Sequence, residues 1–142
     1  MRLFITGGAG FIGSNYVHHV LATTDDEVTV YDALTYAGNL ENLADVADDP
    51  RFRFVRGDIC DRAAVAEALP GHDAVVHFAA ESHVDRSLLD PDVFVRTNCS
   101  GTNVMCDLAA QIGVERFVHI STDEVSGSVD EGSFTETDRL SP

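Results

Sequence analysis

The sequence predicts an α/β fold, a parallel sheet doubly wound by helices, and three observations carry that prediction. Short β-rich apolar runs alternate with helical patterns along the chain. Those runs contain few alternating polar residues, as expected of strands covered on both faces. A cluster of glycines separates the first strand from the first helix. With 142 residues, 44% of them hydrophobic and 23% charged, the chain has the size and apolarity of one ordinary domain.

Arg2–Thr6 is the first strand, and Phe11–Ala22 follows as a helix whose apolar stripe is Ile12, Tyr16, Val17, Val20 and Leu21. Glu27–Tyr31 is short and β-branched, as a buried strand would be. Arg51–Arg56 alternates, then Asp61 caps a helix running to Leu69, where Pro70-Gly71 ends it. Ala74–Phe78 is the fourth strand. Asp90-Pro91-Asp92 opens a long helix with Val104, Met105, Leu108, Ala109 and Ile112 as its core stripe, closed by Gly113. Arg116–Ser121 is the fifth strand. From Ser126 the pattern dissolves into Gly, Ser, Asp and Glu, either an active-site loop or the start of a further element.

Charge narrows the function classes. Asp and Glu number 24 against nine basic residues, all arginine, for a net charge of −15. Nucleic acids and anionic membranes both need a basic surface, so neither is expected as a partner. No apolar run approaches the ~20 residues that cross a bilayer, and the N-terminus has no signal-peptide pattern. The chain reads as soluble and cytosolic. Cys60, Cys99 and Cys106 are odd in number and lack CxxC spacing, so free thiols are expected in place of a disulfide framework or zinc site. No metal is expected, and none of the histidines at 18, 19, 77, 83 and 119 is given a catalytic role.

Gly7, Gly10 and Gly13 sit between the first strand and the first helix. There they permit a tight turn, close approach of a pyrophosphate, and close packing of helix on strand. The helix N-terminus adds free N–H groups and the positive end of a dipole. Asp32 follows Gly13 by 19 residues, at the end of the second strand, where an acid can accept from adenosine ribose hydroxyls. The same acid repels a 2′-phosphate, and no arginine lies between Arg2 and Arg51 to receive one, so NAD is favoured over NADP. The expectation is a Rossmann-type sheet in the order 3-2-1-4-5, with NAD across the crevice between the first and fourth strands. Asp58-Ile59 follows the third strand, where it can meet adenine; surface Asp plus core Ile is the other reading.

The spacing Gly-x-x-Gly-x-x-Gly resembles that of the extended short-chain dehydrogenase/reductase family. Three segments sharpen the likeness: Asp32-Ala33-Leu34-Thr35-Tyr36-Ala37-Gly38-Asn39, Phe78-Ala79-Ala80-Glu81-Ser82-His83-Val84-Asp85-Arg86, and Ser121-Thr122-Asp123-Glu124-Val125. Together they resemble the dTDP-glucose 4,6-dehydratases, and the likeness runs from Met1 to Pro142. It implies a lyase that converts dTDP-glucose to its 4-keto-6-deoxy sugar with tightly held NAD, as a homodimer. It implies that Phe11, Ile12, Asp32, Ala33, Leu34, Thr35, Asp58, Ile59, Phe78, Ala79, Ala80 and Thr97 line NAD. Ser82 and Thr122 would hold the sugar, Asp123 would donate a proton and Glu124 would accept one. Adjacent residues on a regular strand point to opposite faces, so the Asp123-Glu124 pair is expected just past the strand end, in irregular backbone.

Two departures stand out. Ser126 occupies a position where the family carries Tyr, which removes a large packing surface beside the pair. The family's Tyr-x-x-x-Lys, which oxidises the sugar, has no counterpart, because none of Tyr16, Tyr31 and Tyr36 is followed by lysine and the chain has no lysine. Residues 1–142 are therefore expected to be a partial NAD-binding domain, with the last strands and the substrate lobe outside it. The rival readings are another nucleotide-sugar dehydratase, a 4-epimerase, and a non-catalytic NAD-binding module.

Overall fold

The computed structural model describes residues 1–129 and 131–142. Five strands form one parallel sheet: β1 (Arg2–Thr6), β2 (Glu27–Asp32), β3 (Phe52–Arg56), β4 (Ala74–His77) and β5 (Arg116–His119). Their order is β3-β2-β1-β4-β5, as the sequence predicts. Phe4 stands opposite Thr29 on one side and Val75 on the other, which sets the register of the three central strands.

The period of two in each strand divides the core into two layers. Leu3, Ile5, Val28, Val30 and Val76 face helix α1 (Phe11–Thr23), where they meet Val17, Val20 and Leu21. Phe4, Tyr31 and Val75 face the opposite way, onto Val65 and Leu69 around α2 (Arg62–Ala68) and Met105 and Leu108 of α5 (Thr102–Ile112). Both faces of the central strands are thus covered, which is why they read as continuous apolar runs. Asp61 caps α2 as expected, its carboxylate accepting from the amides of Ala63 and Ala64 at 3.1 Å. Gly113 ends α5 at φ +80°, a left-handed turn that favours glycine.

Several expectations are corrected. Ile12 is not part of the core stripe: it is 64% exposed, because in the first turn of α1 it is Gly13 and Ser14 that face inward, Gly13 against the glycine loop. Ile112 occupies the last turn of α5 and is also exposed. The long helix is not uniform. Pro91–Phe94 is α-helical (α4), Val95–Gly101 winds as a π-helix, and only then does α5 begin. Two elements were not expected at all: a 3₁₀ helix at Leu40–Val46 and α3 at Val84–Leu89. β5 is paired along its length with β4 yet largely exposed, since no helix covers it among the described residues. Among those residues no helix is long and apolar enough to cross a membrane.

Candidate functional site

A crevice of about 1030 Å³ opens at the C-terminal ends of the strands. This is where open parallel sheets bind ligands, at the switch point between β1 and β4. Its floor is the glycine turn. Gly7 adopts φ +71°, and a Cβ there would stand 2.6 Å from the Ala79 amide nitrogen, so the turn and the segment after β4 approach closer than any side chain allows. Gly13 is equally constrained, since its Cβ would lie 2.3 Å from the Gly7 carbonyl oxygen. Gly10 differs: only that same carbonyl, at 3.3 Å, is near its missing Cβ, which leaves open space beside the start of α1. No side chain caps α1 there. Its first amides are therefore available to an anion.

Asp32 is 8% exposed, and the turn holds its carboxylate in place. Oδ2 accepts from the Ala9 amide at 3.0 Å and Oδ1 from the Leu34 amide at 2.8 Å. Leu34 pays for this with φ +53°, an unusual value for a branched side chain. Its side chain packs against the core beside α1, away from the crevice. Across the floor, Asp58 Oδ2 accepts from the Arg96 guanidinium at 2.6 Å, and Oδ1 accepts from the Cys60 amide at 2.8 Å. Burial and the neighbouring Asp58 push the Cys60 thiol up, so it stays protonated.

The far wall is made by the segment after β4 and by the π-helix. Glu81 and Asn98 exchange two hydrogen bonds of 2.8 Å, the Glu81 amide to Asn98 Oδ1 and Asn98 Nδ2 to the Glu81 carbonyl. The π-helix brings Arg96, Thr97 and Asn98 to the crevice wall. Such widened turns recur at functional sites. Thr122, Asp123 and Glu124 lie just past β5, where Asp123–Ser126 forms a 3₁₀ turn. The Thr122 hydroxyl accepts from the Glu124 amide and donates to Asp123 Oδ1, both at 3.3 Å.

Behind the wall, His77 is fully buried. Nδ1 lies 2.6 Å from Thr6 Oγ1 and Nε2 lies 3.0 Å from Thr102 Oγ1. Thr6 Oγ1 also accepts from the Ala79 amide. His77 thus ties the end of β1 to α5, and its ring stacks on His119 at 5.2 Å. Burial, then His119, lowers its pKa to about 4, so it is neutral.

Of the sequence-predicted positions, Gly7, Gly10, Phe11, Ile12, Gly13, Asp32, Ala33, Thr35, Asp58, Ile59, Phe78, Ala79, Ala80, Ser82, Thr97, Thr122 and Glu124 all line this one crevice. Leu34 and Asp123 do not. Sequence reasoning missed Arg96, Asn98 and His119, which also line it. Asn98 had a signal, standing next to Thr97, whereas nothing local marks Arg96 as the partner of an acid 38 residues earlier.

Comparison with known proteins matches residues 4–142 to the family model described as GDP-mannose 4,6 dehydratase. A dTDP-glucose 4,6-dehydratase of Streptomyces griseus is 57% identical over 144 residues, covering 99% of this chain and 44% of that protein. The solved structure of the dTDP-glucose 4,6-dehydratase DesIV from Streptomyces venezuelae, with NAD bound, superposes with a TM-score of 0.95 at 56% identity, covering 100% of this chain and 46% of that one. A UDP-Glc/GlcNAc 4-epimerase of Campylobacter jejuni superposes at 0.90 but is 32% identical, with 99% of this chain and 43% of that one covered. The chain spans less than half the length of the curated relatives it matches.

Proposed function

The chain belongs to the GDP-mannose 4,6-dehydratase family, and from that premise we propose that it forms the dinucleotide-holding part of a dTDP-glucose 4,6-dehydratase. The observation that carries the reading is one crevice lined both by the glycine turn with Asp32 and by Thr122 and Glu124. The 32%-identical epimerase shares the fold, but the Asp123-Glu124 pair suits elimination, which needs an acid and a base together.

The crevice fits NAD on its own features. The uncapped start of α1, with room beside Gly10, suits the diphosphate. Asp32 offers acceptors to the hydroxyls of the adenosine ribose and its charge disfavours a 2′-phosphate. Phe78, Ala79, Ala80 and Thr97 wall the remaining length, and Asp58 with Ile59 stands at the third strand's end. When bound, NAD supplies reversible hydride chemistry, oxidising the sugar at C4 and reducing it later at C6.

A ketone at C4 acidifies the C5 proton. Glu124, on the crevice wall, takes that proton. Asp123, one residue behind the wall and bonded to the Thr122 hydroxyl, turns in to give one to the departing C6 hydroxyl, so a C5–C6 double bond forms and water leaves. Thr122 fixes the turn that carries the pair, donating to the Asp123 carboxylate and accepting from the Glu124 amide, and with Ser82, on the same crevice, it is assigned the sugar. Taking the C4 hydroxyl proton is assigned to none of these residues, since they contain no Tyr-x-x-x-Lys. The net charge of −15 supports a small-molecule partner over nucleic acid or an anionic membrane, and the family resemblance supports a cytosolic homodimer.

The test is product analysis after incubating the protein that carries these residues with dTDP-glucose and NAD. A 4-keto-6-deoxy product is expected. A C4 epimer would replace this reading with the epimerase, and NAD binding without turnover would replace it with a non-catalytic module.

A further inference from the structure

Tyr36 and Arg86 meet across the rim of the crevice. Tyr36 belongs to the loop after β2, and Arg86 to α3 beyond β4. Since β2 and β4 pair with opposite edges of β1, a contact between these two segments passes over the glycine turn that follows β1. The Arg86 guanidinium carbon sits 3.9 Å from the centre of the Tyr36 ring, a cation–π pair. Thr35 and Ala37 on one side, and Val84 and Ser87 on the other, line the crevice; Tyr36 and Arg86 do not. The bridge therefore lies at the rim and leaves the space beneath it open.

Two further observations concern what surrounds the bridge. Among the described residues Arg86 makes no salt bridge, whereas Arg96, the arginine that lines the crevice, is tied to Asp58. Arg86 is thus held by the Tyr36 ring, over the glycine turn, with no carboxylate among those residues paired to its guanidinium. Below the bridge, Glu81 is 8% exposed and its Oε2 has no hydrogen-bond partner, while Asn98 holds its backbone rigidly. Partial burial, then the Glu81 carboxylate, raises the pKa of the Tyr36 hydroxyl and keeps it neutral.

We propose that Tyr36 and Arg86 form a clasp that closes over the diphosphate of bound NAD, with Arg86 facing its negative charge, and that the clasp slows release of the cofactor. The proposal rests on the reading of the crevice as an NAD site. It matches the chemistry of that reading, in which the hydride returns to the same sugar and the cofactor has no need to leave.

The experiment measures NAD dissociation from the unaltered protein, Y36A, R86A and the double variant, with adenosine binding as a control. Each single variant is expected to release NAD about three- to fivefold faster, the size of effect typical of a partly exposed cation–π pair. The double variant should be little faster than R86A alone, because Tyr36 acts on the cofactor only through the Arg86 guanidinium that it holds. Adenosine, which has no diphosphate to clasp, should bind all four proteins alike. Unchanged NAD release, additive effects, or an equal loss of adenosine binding would each overturn the clasp while leaving the NAD site intact. An unaltered protein that binds no NAD would overturn both.

Discussion

The two ends of the crevice are built on different principles. At the glycine turn, backbone meets backbone at distances no side chain permits, and Asp32 is buried with both carboxylate oxygens bonded to amides. At the Thr122–Glu124 turn all three residues are exposed, and their bonds are long and local. The first end is held by packing, so changes there act on the fold and on ligand binding together. The second has little packing to lose, so changes there act on chemistry with the fold intact.

The largest expected effect tests the exposed end. In the protein carrying these residues, Glu124→Gln and Asp123→Asn should each lower kcat by about 10²–10⁴-fold, the usual range for a lost acid or base. NAD affinity and melting temperature should hardly move. A parallel loss of stability in thermal melts would erase the contrast.

Next is the buried link behind the crevice wall. His77 has a pKa lowered to about 4 from 6.5, so above pH 6.5 it is neutral whether folded or not. Between 6.5 and 4 the unfolded chain takes up a proton that the fold refuses. Stability should therefore fall with pH through that window, by up to about 3 kcal/mol at its lower end. Urea unfolding across the window, compared with His77→Gln, should show a flatter profile in the variant. His72, also lowered by burial, adds a residual slope of the same sign in both proteins.

At the packed end, Gly13→Ala should cost about 1–3 kcal/mol, because its Cβ would stand 2.3 Å from a backbone oxygen that cannot move aside. NAD affinity should fall with it, so titration calorimetry and denaturation are to be read together. The smallest effect lies away from both ends. Asp61→Ala removes the cap of α2 and should cost about 1 kcal/mol with NAD binding unchanged.

β4 and β5 show why only part of the fold was legible in the sequence. Both read as apolar strands, and they pair residue for residue. One is buried at every position and the other is mostly exposed. The letters of a strand report its pleat and its readiness to be covered, but whether a neighbour covers it is a non-local fact. The same holds for Ile12, which fits the helical period of a core stripe yet faces the crevice, because periodicity does not say which part of a helix borders an open cleft. The π-helix at Val95–Gly101 was illegible for another reason. It sits where Gly101 lets the chain approach Ile59 and Cys60, with a Cβ there only 2.6 Å from Ile59 Cδ1, and that neighbour is some 40 residues away in the chain.

By itself the sequence determined the strand order, the glycine turn, the acid after β2, the cap on α2 and the placing of the Asp-Glu pair beyond β5. The strand order comes with the fold class that the glycine turn marks, and each of the others rests on local chemistry: a backbone angle, a missing Cβ, a short side chain beside free amides, or a periodicity. Only the tertiary structure decided which oxygens Asp32 and Asp58 have already committed, that His77 joins Thr6 to Thr102, that Leu34 turns inward, and that Tyr36 meets Arg86 over the crevice. Those contacts join groups whose separation is set by how β2, β3, β4 and their helices pack around β1, and no local pattern encodes that distance.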